Sequence, residues 1–191
     1  MRGYSAEQTV ARADLARDLL VRLSRSPVMS ICAMNGLAYG GGLELAMAST
    51  LRLAAPHVAM SLPEIKLGLG PSYGGTQFLP ALIGKGRALD LMLTARAVTA
   101  EEAMAMGLVS RIVANSEDLL PQAFALGEAL SGYSPTAIAA IRTCVAAAGD
   151  EVAAAGLAAE QAAVAAISPS DDAREGIAAF LEKRAPTFTG R

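Results

Sequence analysis

The sequence has no tryptophan, a single histidine and two cysteines, and aromatic residues make up only 4% of its 191 positions. Cys32 and Cys144 lie far apart in apolar surroundings, which predicts two buried thiols, because a disulfide framework needs more cysteines in a smaller chain. His57 follows Ala-Pro in a context typical of a surface loop. Because metal sites are built from clusters of such ligands, we expect no metal site.

Strong charge of one sign and long apolar runs are also lacking. The net charge is −2, and no basic run marks a nucleic-acid or membrane patch. The stretch from Pro27 to Leu43 is the longest uncharged one near the front, but it contains Asn35 and four glycines. It falls short of the roughly 20 apolar residues of a membrane helix, and the first residues contain no apolar signal core. We therefore expect a soluble cytoplasmic protein with no nucleic-acid or membrane partner.

What the sequence does contain is 53% apolar residues, enough to bury a core and to argue against disorder. Strand and helix patterns alternate in the first half, and helices fill the second. This order predicts an α/β layer over residues 1–133 followed by a helical segment over 134–191. The predicted strands are Val28–Met34, Leu51–Ala54, Val58–Ser61 and Leu108–Val113; the predicted helices include residues 42–49, 76–83, 85–93 and 150–167.

The stretch NGLAYGGGLELA, residues 35–46, places three consecutive glycines before a helix that carries one acid. The first N–H groups of a helix have no internal acceptor, so Gly40, Gly41 and Gly42 would present them to a developing negative oxygen. Glu44 lies in the first turn of that helix. Two alternatives remain: the glycines allow close helix–strand packing with Glu44 as a solvated acid, or they form a phosphate loop. A phosphate loop would need the GxxxxGK[ST] pattern, which is absent here.

The stretch MSLPEIKLGLGPSYGG, residues 60–75, places a second acid beside a second glycine-rich loop. Glu64 follows a predicted strand and Pro63, which fixes the backbone before it. One reading is an edge carboxylate at a loop entry. The other is that Glu44 and Glu64 form a pair for general acid/base work on one water.

Ordered blocks along essentially the whole chain resemble the crotonase family, most closely the enoyl-CoA hydratases. The blocks are P-V-x6-N-G-x-A-x-G-G-G-x-E-L-A at residues 27–46, P-E-I-K-L-G-L at 63–69, G-G-T-Q-x-L-P at 74–80, G-K-G-R-A at 84–88, L-T-A-R-x-V-T-A-E-E-A at 93–103, G-L-V at 107–109 and F-L-E-K-R-x-P-x-F at 180–188. The resemblance implies a spiral of ββα units, here incomplete at the N-terminus, with a C-terminal helical trimerisation region.

The resemblance also implies a reaction, the reversible addition of water to a 2-enoyl-CoA. It assigns Glu44 and Glu64 as the acid/base pair and Gly41 as an oxyanion donor, with Gly40, Gly42, Ser72 and Tyr73 in the substrate-binding region. Coenzyme A would be part of the substrate, with no separate cofactor, and the assembly would be a homotrimer or a dimer of trimers. The alternatives are another acyl-CoA reaction of the family (isomerase, lyase or hydrolase) and a truncated non-catalytic member.

Three residues of the tail, Lys183, Arg184 and Phe188, match the segment that helps to cover CoA. The other reading is a solvated basic helix end.

Family members also carry an N-terminal region with a second oxyanion donor, and residues 1–27 show no match to it. We expect either a longer protein in which Met1 is internal or a short variant. Gly70 stands where the family often has a larger apolar residue, which predicts a wider acyl pocket.

Overall fold

The computed structural model describes residues 6–67, 69–146 and 170–191. The helices are α1 Ala6–Ser24, α2 Gly41–Ala48, α3 Gly75–Ile83, α4 Lys85–Thr94, α5 Ala100–Ala105, α6 Leu119–Ser131, α7 Pro135–Ala146 and α8 Asp171–Glu182, with 3-10 turns at Glu64–Leu67 and Ser116–Asp118. The strands are β1 Ile31–Met34, β2 Ala38–Tyr39, β3 Leu51–Ala54, β4 Ala59–Ser61, β5 Val98–Thr99 and β6 Arg111–Ile112. The helix predicted over residues 150–167 lies outside the described residues.

The described strands form two small sheets. β3 pairs in parallel with β1 and with β6. In the second sheet β4 pairs in parallel with β2 and antiparallel with β5. The register places Tyr39 opposite Ser61, and the N–H of Gly40 donates to the carbonyl of Ser61 at 2.9 Å. Because β2 and β4 are parallel, the segments that leave them emerge at the same edge, and both candidate acids follow these strands.

Large apolar side chains from helices and strands form the core around these sheets. Leu43 of α2, Leu53 of β3, Met60 of β4 and Leu79 of α3 are each at most 1% exposed. Burial of each such side chain contributes about 1.5–3 kcal/mol. The core therefore holds α2 and α3, which flank the glycine-rich segments, against the strands.

One buried cation, the guanidinium of Arg52, connects the ends of neighbouring elements by hydrogen bonds to backbone carbonyls. Arg52 of β3 is 6% exposed; its Nε donates to the carbonyl of Leu108 at 2.7 Å and its Nη1 to the carbonyl of Ser49 at 2.7 Å. Burial lowers the pKa of this guanidinium, and the two carbonyls accept from two of its five N–H donors. Cys32 and Cys144 are free thiols, as predicted, but both are half-buried and not buried.

The strand predicted over Leu108–Val113 is reduced to Arg111–Ile112. The N–H groups of Leu108 and Val109 both donate to the carbonyl of Ala103, at 2.8 and 3.2 Å. They close the end of α5 and are unavailable to a strand ladder. The segment therefore joins the sheet later than its apolar run predicts.

Contacts divide the chain into two compact units, Met1–Phe124 and Ala125–Arg191. The first unit contains both sheets and both glycine-rich segments. The second contains α7, α8 and the tail. The boundary predicted from the sequence between residues 133 and 134 stays a prediction.

In the second unit, a buried carboxylate fixes the C-terminal tail. Asp172 of α8 is 2% exposed and accepts from Ser134 Oγ at 2.6 Å, the N–H of Thr189 at 2.7 Å and the N–H of Gly190 at 3.0 Å. The hydrogen bond from Ser134 and the two backbone N–H groups lower the pKa of this carboxyl group. The Asp172 carboxylate thereby connects the start of α7, the start of α8 and the tail by hydrogen bonds.

Replacing Asp172 by asparagine should release the tail, because an amide turns an NH2 group toward donors that need an acceptor. We expect a lower unfolding midpoint and faster digestion of the C-terminus by carboxypeptidase. Since the folded pKa is depressed, the stabilisation is present above the unfolded pKa of about 3.9 and is lost as the pH falls through the folded value. Asp171→Asn, at the exposed neighbouring position, is the control. Equal digestion of the two variants would contradict the role of Asp172.

Candidate active site

The glycine turn after β2 is shaped by backbone geometry. Gly40 caps α2 with φ 55° and ψ −129°, a conformation that side chains rarely adopt and glycine tolerates. The turn aims the first N–H groups of α2, those of Gly41 and Gly42, away from the helix, where they have no intrahelical acceptor. It therefore has the form of the oxyanion-binding device predicted from the sequence.

Gly41 is required by a close contact. A Cβ at Gly41 would lie 2.7 Å from Cε2 and 3.0 Å from Cδ2 of the Tyr73 ring. The ring of Tyr73 thus packs directly on the backbone at the start of α2, beside the candidate donor. Gly42, by contrast, is exposed, and a Cβ there would meet open space.

Glu44 is buried, with 1% of its surface exposed. Its Oε1 accepts from the N–H of Tyr73 and the N–H of Gly75, each at 2.8 Å. Charge-assisted bonds of this kind are strong and fix geometry. The alternative of a solvated first-turn acid is therefore wrong. Oε2 lies 4.0 Å from the position of a Cβ on Gly41, on the side of the oxyanion turn.

Glu64 opens the 3-10 turn after Pro63 and points back at the glycine turn. Its Oε1 is 3.1 Å from the position of a Cβ on Gly40. Its Oε2 is buried and has no hydrogen-bond partner among the described residues. Burial, with the charge of Glu44 as a smaller cause, raises the pKa of this carboxyl group, although a hydrogen bond from its own backbone opposes the rise. A buried polar atom without a partner is costly and marks a place for a ligand or a water.

The structure thus brings together Gly40, Gly41, Glu44, Glu64 and Tyr73. Ser72 lies exposed on the same loop. No residue pattern indicates that the backbone N–H groups of residues 73 and 75 hold Glu44, since any residue type except proline supplies such a group. The cluster combines N–H donors at a helix start, one fixed carboxylate and one carboxyl group with raised pKa. It can bind an oxyanion and move protons on either side of it.

The predicted nucleotide contacts lie in the second unit. Arg184 pairs with both oxygens of Glu175, at 2.6 and 2.9 Å, and with Glu182 at 2.6 Å. The bonds from Arg184 and the bond from the N–H of Thr187 lower the pKa of Glu175 to about 2. Lys183 is exposed, and the half-buried Phe188 packs on Gly176, with a ring carbon 3.5 Å from the position of a Cβ there. Their role toward CoA stays a prediction.

No group of three or more metal-ligating side chains forms within the part of the chain that the structure describes. Over the same residues, none of the helices has the length and apolar character to cross a bilayer.

Residues 1–191 match the family model described as enoyl-CoA hydratase/isomerase. The chain belongs to this family. The structure superposes on the 1.8 Å crystal structure of enoyl-CoA hydratase from Bacillus anthracis with a TM-score of 0.94 and 34% identity, covering 99% of this chain and 73% of that one. The architecture is accordingly the mixed α/β crotonase fold, which confirms the predicted fold class.

Sequence relatives carry both names of the family. A probable enoyl-CoA hydratase, echA8, of Mycobacterium leprae is 44% identical over 167 residues, which is 87% of this chain and 64% of the relative. An enoyl-CoA isomerase/hydratase of Zymoseptoria tritici is 37% identical over 199 residues, 98% of this chain and 63% of the relative. The chain thus spans less than two thirds of the length of these relatives. It is an enoyl-CoA hydratase/isomerase family protein, and its own reaction is a separate question.

Proposed function

We propose that the chain catalyses the reversible addition of water to a 2-enoyl-CoA, giving a 3-hydroxyacyl-CoA. The observation that carries this proposal is the pair of carboxyl groups at one glycine turn: Glu44 fixed by two N–H groups, and Glu64 with a buried oxygen that lacks a partner. Water addition needs a base for the water and an acid for the carbon next to the thioester. Two carboxyl groups at one turn meet that requirement, one for each proton transfer.

In the proposed mechanism, the Gly41 N–H donates to the thioester oxygen as negative charge develops on it. One such donor is typically worth ~10²–10³ in rate. Glu44 Oε2 takes a proton from water, whose oxygen bonds to C3 of the substrate. Glu64, whose pKa is raised by burial, gives its proton to C2. Proton exchange with solvent then restores both side chains.

The second candidate is isomerisation of a 3-enoyl-CoA to a 2-enoyl-CoA. It needs one group that takes a proton from C2 and returns it at C4. The observation that favours it is again Glu64, because a buried carboxyl oxygen without a partner can act on either carbon. The fixed and buried Glu44 would then have no chemical task, which is why we prefer hydration.

We further propose that the substrate is an acyl-CoA thioester, that no separate cofactor is used, and that the protein works in the cytoplasm as a homotrimer or a dimer of trimers. Ile141 and Val145, one turn apart on α7, are 64% and 66% exposed. Apolar side chains at this spacing form a stripe suited to packing against another subunit.

The test is hydration of crotonyl-CoA by the purified chain, followed as loss of the conjugated enoyl thioester over a range of pH, with 3-hexenoyl-CoA isomerisation measured in parallel. We expect kcat/KM for hydration to fall on the alkaline side as Glu64 loses its proton. The fall should begin above the ordinary glutamate pKa of about 4.3, because the shift is upward. A folded chain without hydration, or a rate that only rises with pH, would contradict the proposal.

A further inference from the structure

Helix α2 connects the glycine turn of the site to a buried cation. Its first N–H groups, those of Gly41 and Gly42, are the candidate oxyanion donors. At its other end, the carbonyl of the C-cap residue Ser49 accepts from Nη1 of Arg52 at 2.7 Å. The last turn of α2, residues 45–48, contains no basic residue of its own. The cation at this end of the helix is therefore supplied by the neighbouring strand β3.

Arg52 carries a buried charge without a carboxylate beside it. It is 6% exposed, and the titratable group that acts on its charge is the Cys32 thiol, which lies opposite it in the register of β1 and β3. Removing a charge from water is costly, so a buried charge usually lies beside an opposite one. The carbonyl end of a helix is the negative pole of its dipole. The end of α2 therefore takes the place of a counter-ion.

The helix between the cation and the glycine turn is itself largely buried, which limits the screening of this charge by water. The buried residues of α2 are Leu43, Glu44, Ala46, Met47 and Ala48. An eight-residue helix is about 12 Å long, so the guanidinium lies on the order of 15 Å from an oxyanion at the Gly41 N–H. At an effective dielectric constant of about 20, a unit charge at that distance shifts an ionisation equilibrium by about fivefold.

We propose that Arg52 is a positioning residue for the reaction: it fixes the carbonyl end of α2, and its charge favours negative charge on the thioester oxygen at the other end. This inference rests on the proposed function for the identity of that oxygen. Its own support is the contact of the buried guanidinium with the Ser49 carbonyl at the end of the helix that presents the donors. Because the oxygen becomes negative only during the reaction, Arg52 acts on turnover more than on substrate binding.

The experiment measures how readily acetoacetyl-CoA ionises when bound, because its enolate places negative charge on the thioester oxygen and absorbs in the near ultraviolet. The proteins are the wild type, Arg52→Lys, Arg52→Gln and the control Arg111→Gln. Lysine and glutamine can each donate to the Ser49 carbonyl, but lysine alone keeps the charge. Arg111 is exposed on the adjacent strand β6, opposite Leu53. Its replacement removes an equal charge from the surface of the same sheet.

At neutral pH we expect the ratio of bound enolate to bound keto form to fall by about fivefold in Arg52→Gln. Arg52→Lys should stay near the wild-type ratio, and Arg111→Gln should match it. In hydration of crotonyl-CoA, kcat should fall in Arg52→Gln by a similar factor while KM changes little. Equal enolate ratios in Arg52→Lys and Arg52→Gln would overturn the inference, because these variants differ in charge while both can donate to Ser49.

A second neutral variant covers the case in which Arg52→Gln does not fold. Arg52→Met replaces the guanidinium by an apolar group of similar length, a kind of change that buried ionic sites often tolerate. It should lower the enolate ratio by the same factor as Arg52→Gln, with circular dichroism to confirm folding. A folded Arg52→Met with the wild-type ratio would overturn the inference.

Binding of acetoacetyl-CoA requires no turnover, so this inference and the proposed reaction can fail separately. If the wild type does not hydrate crotonyl-CoA but the enolate ratio depends on the charge at position 52, the hydratase proposal fails and the role of Arg52 stands. If hydration proceeds and the enolate ratio is the same with and without that charge, the hydratase proposal stands. Arg52 would then only connect neighbouring elements of the fold.

Discussion

Hydration of crotonyl-CoA should fall by about 10²–10⁴-fold when Glu64 is replaced by glutamine, the range usual for loss of a general acid or base. Glutamine keeps the shape of the side chain but cannot give a proton to C2. The fold should persist, because glutamine has nearly the same shape and Glu64 Oε2 makes no hydrogen bond among the described residues that the change could break. The measurement is kcat/KM for the wild type and the variant, with circular dichroism to confirm folding.

Glu44→Gln is the companion variant. Its amide oxygen can still accept from the N–H groups of Tyr73 and Gly75, so the loop should stay in place while the base is lost. Hydration should fall by about 10²–10⁴-fold in both variants. If Glu64→Gln retains isomerisation of a 3-enoyl-CoA or full hydration, the acid lies elsewhere and the assignment of Glu64 is wrong.

Gly41→Ala should lower kcat/KM by about 10²–10³-fold, the usual effect of losing one oxyanion donor. The new Cβ would lie 2.7 Å from the Tyr73 ring, so either the ring or the start of α2 must move. Movement of α2 displaces the Gly41 N–H from the thioester oxygen. Substrate binding should change less than turnover, because the oxyanion forms only during the reaction.

Adding Tyr73→Ala to Gly41→Ala removes the clash and should recover part of the lost rate. Gly36→Ala is the matched control, since Gly36 belongs to the same sequence block and a Cβ there meets nothing within 4 Å. Loss of activity in Gly36→Ala equal to that in Gly41→Ala would show that the block tolerates no alanine anywhere. The contact between position 41 and the Tyr73 ring would then not account for the loss of activity in Gly41→Ala.

The sequence predicted the parts of the fold that local patterns encode. The helix predicted over residues 42–49 is α2, Gly41–Ala48. Both acids were found because each follows a strand and adjoins a glycine-rich loop. These signals are local, so neighbouring residues suffice to read them.

What the sequence could not predict depends on contacts between distant segments. The two-residue strand β2 exists only because β4 lies beside it, and its residues Ala38 and Tyr39 form no run of their own. The burial of Glu44 and its bonds to the loop join positions 29 and 31 residues apart. An acid in the first turn of a helix has the same sequence pattern whether it is solvated or buried.

The register of β2 against β4 has a consequence for how the chain can change in length. Tyr39 lies opposite Ser61, and each strand leads within a few residues to a glutamate of the site. Insertion of one residue between Ser61 and Glu64 would shift that carboxyl group by up to about 3.3 Å along the strand direction. An insertion at the exposed corner formed by the turn at His57, between β3 and β4, would leave the pairing of β3 with β1 and the pairing of β4 with β2 intact. Natural length variation in this region should therefore concentrate at that corner.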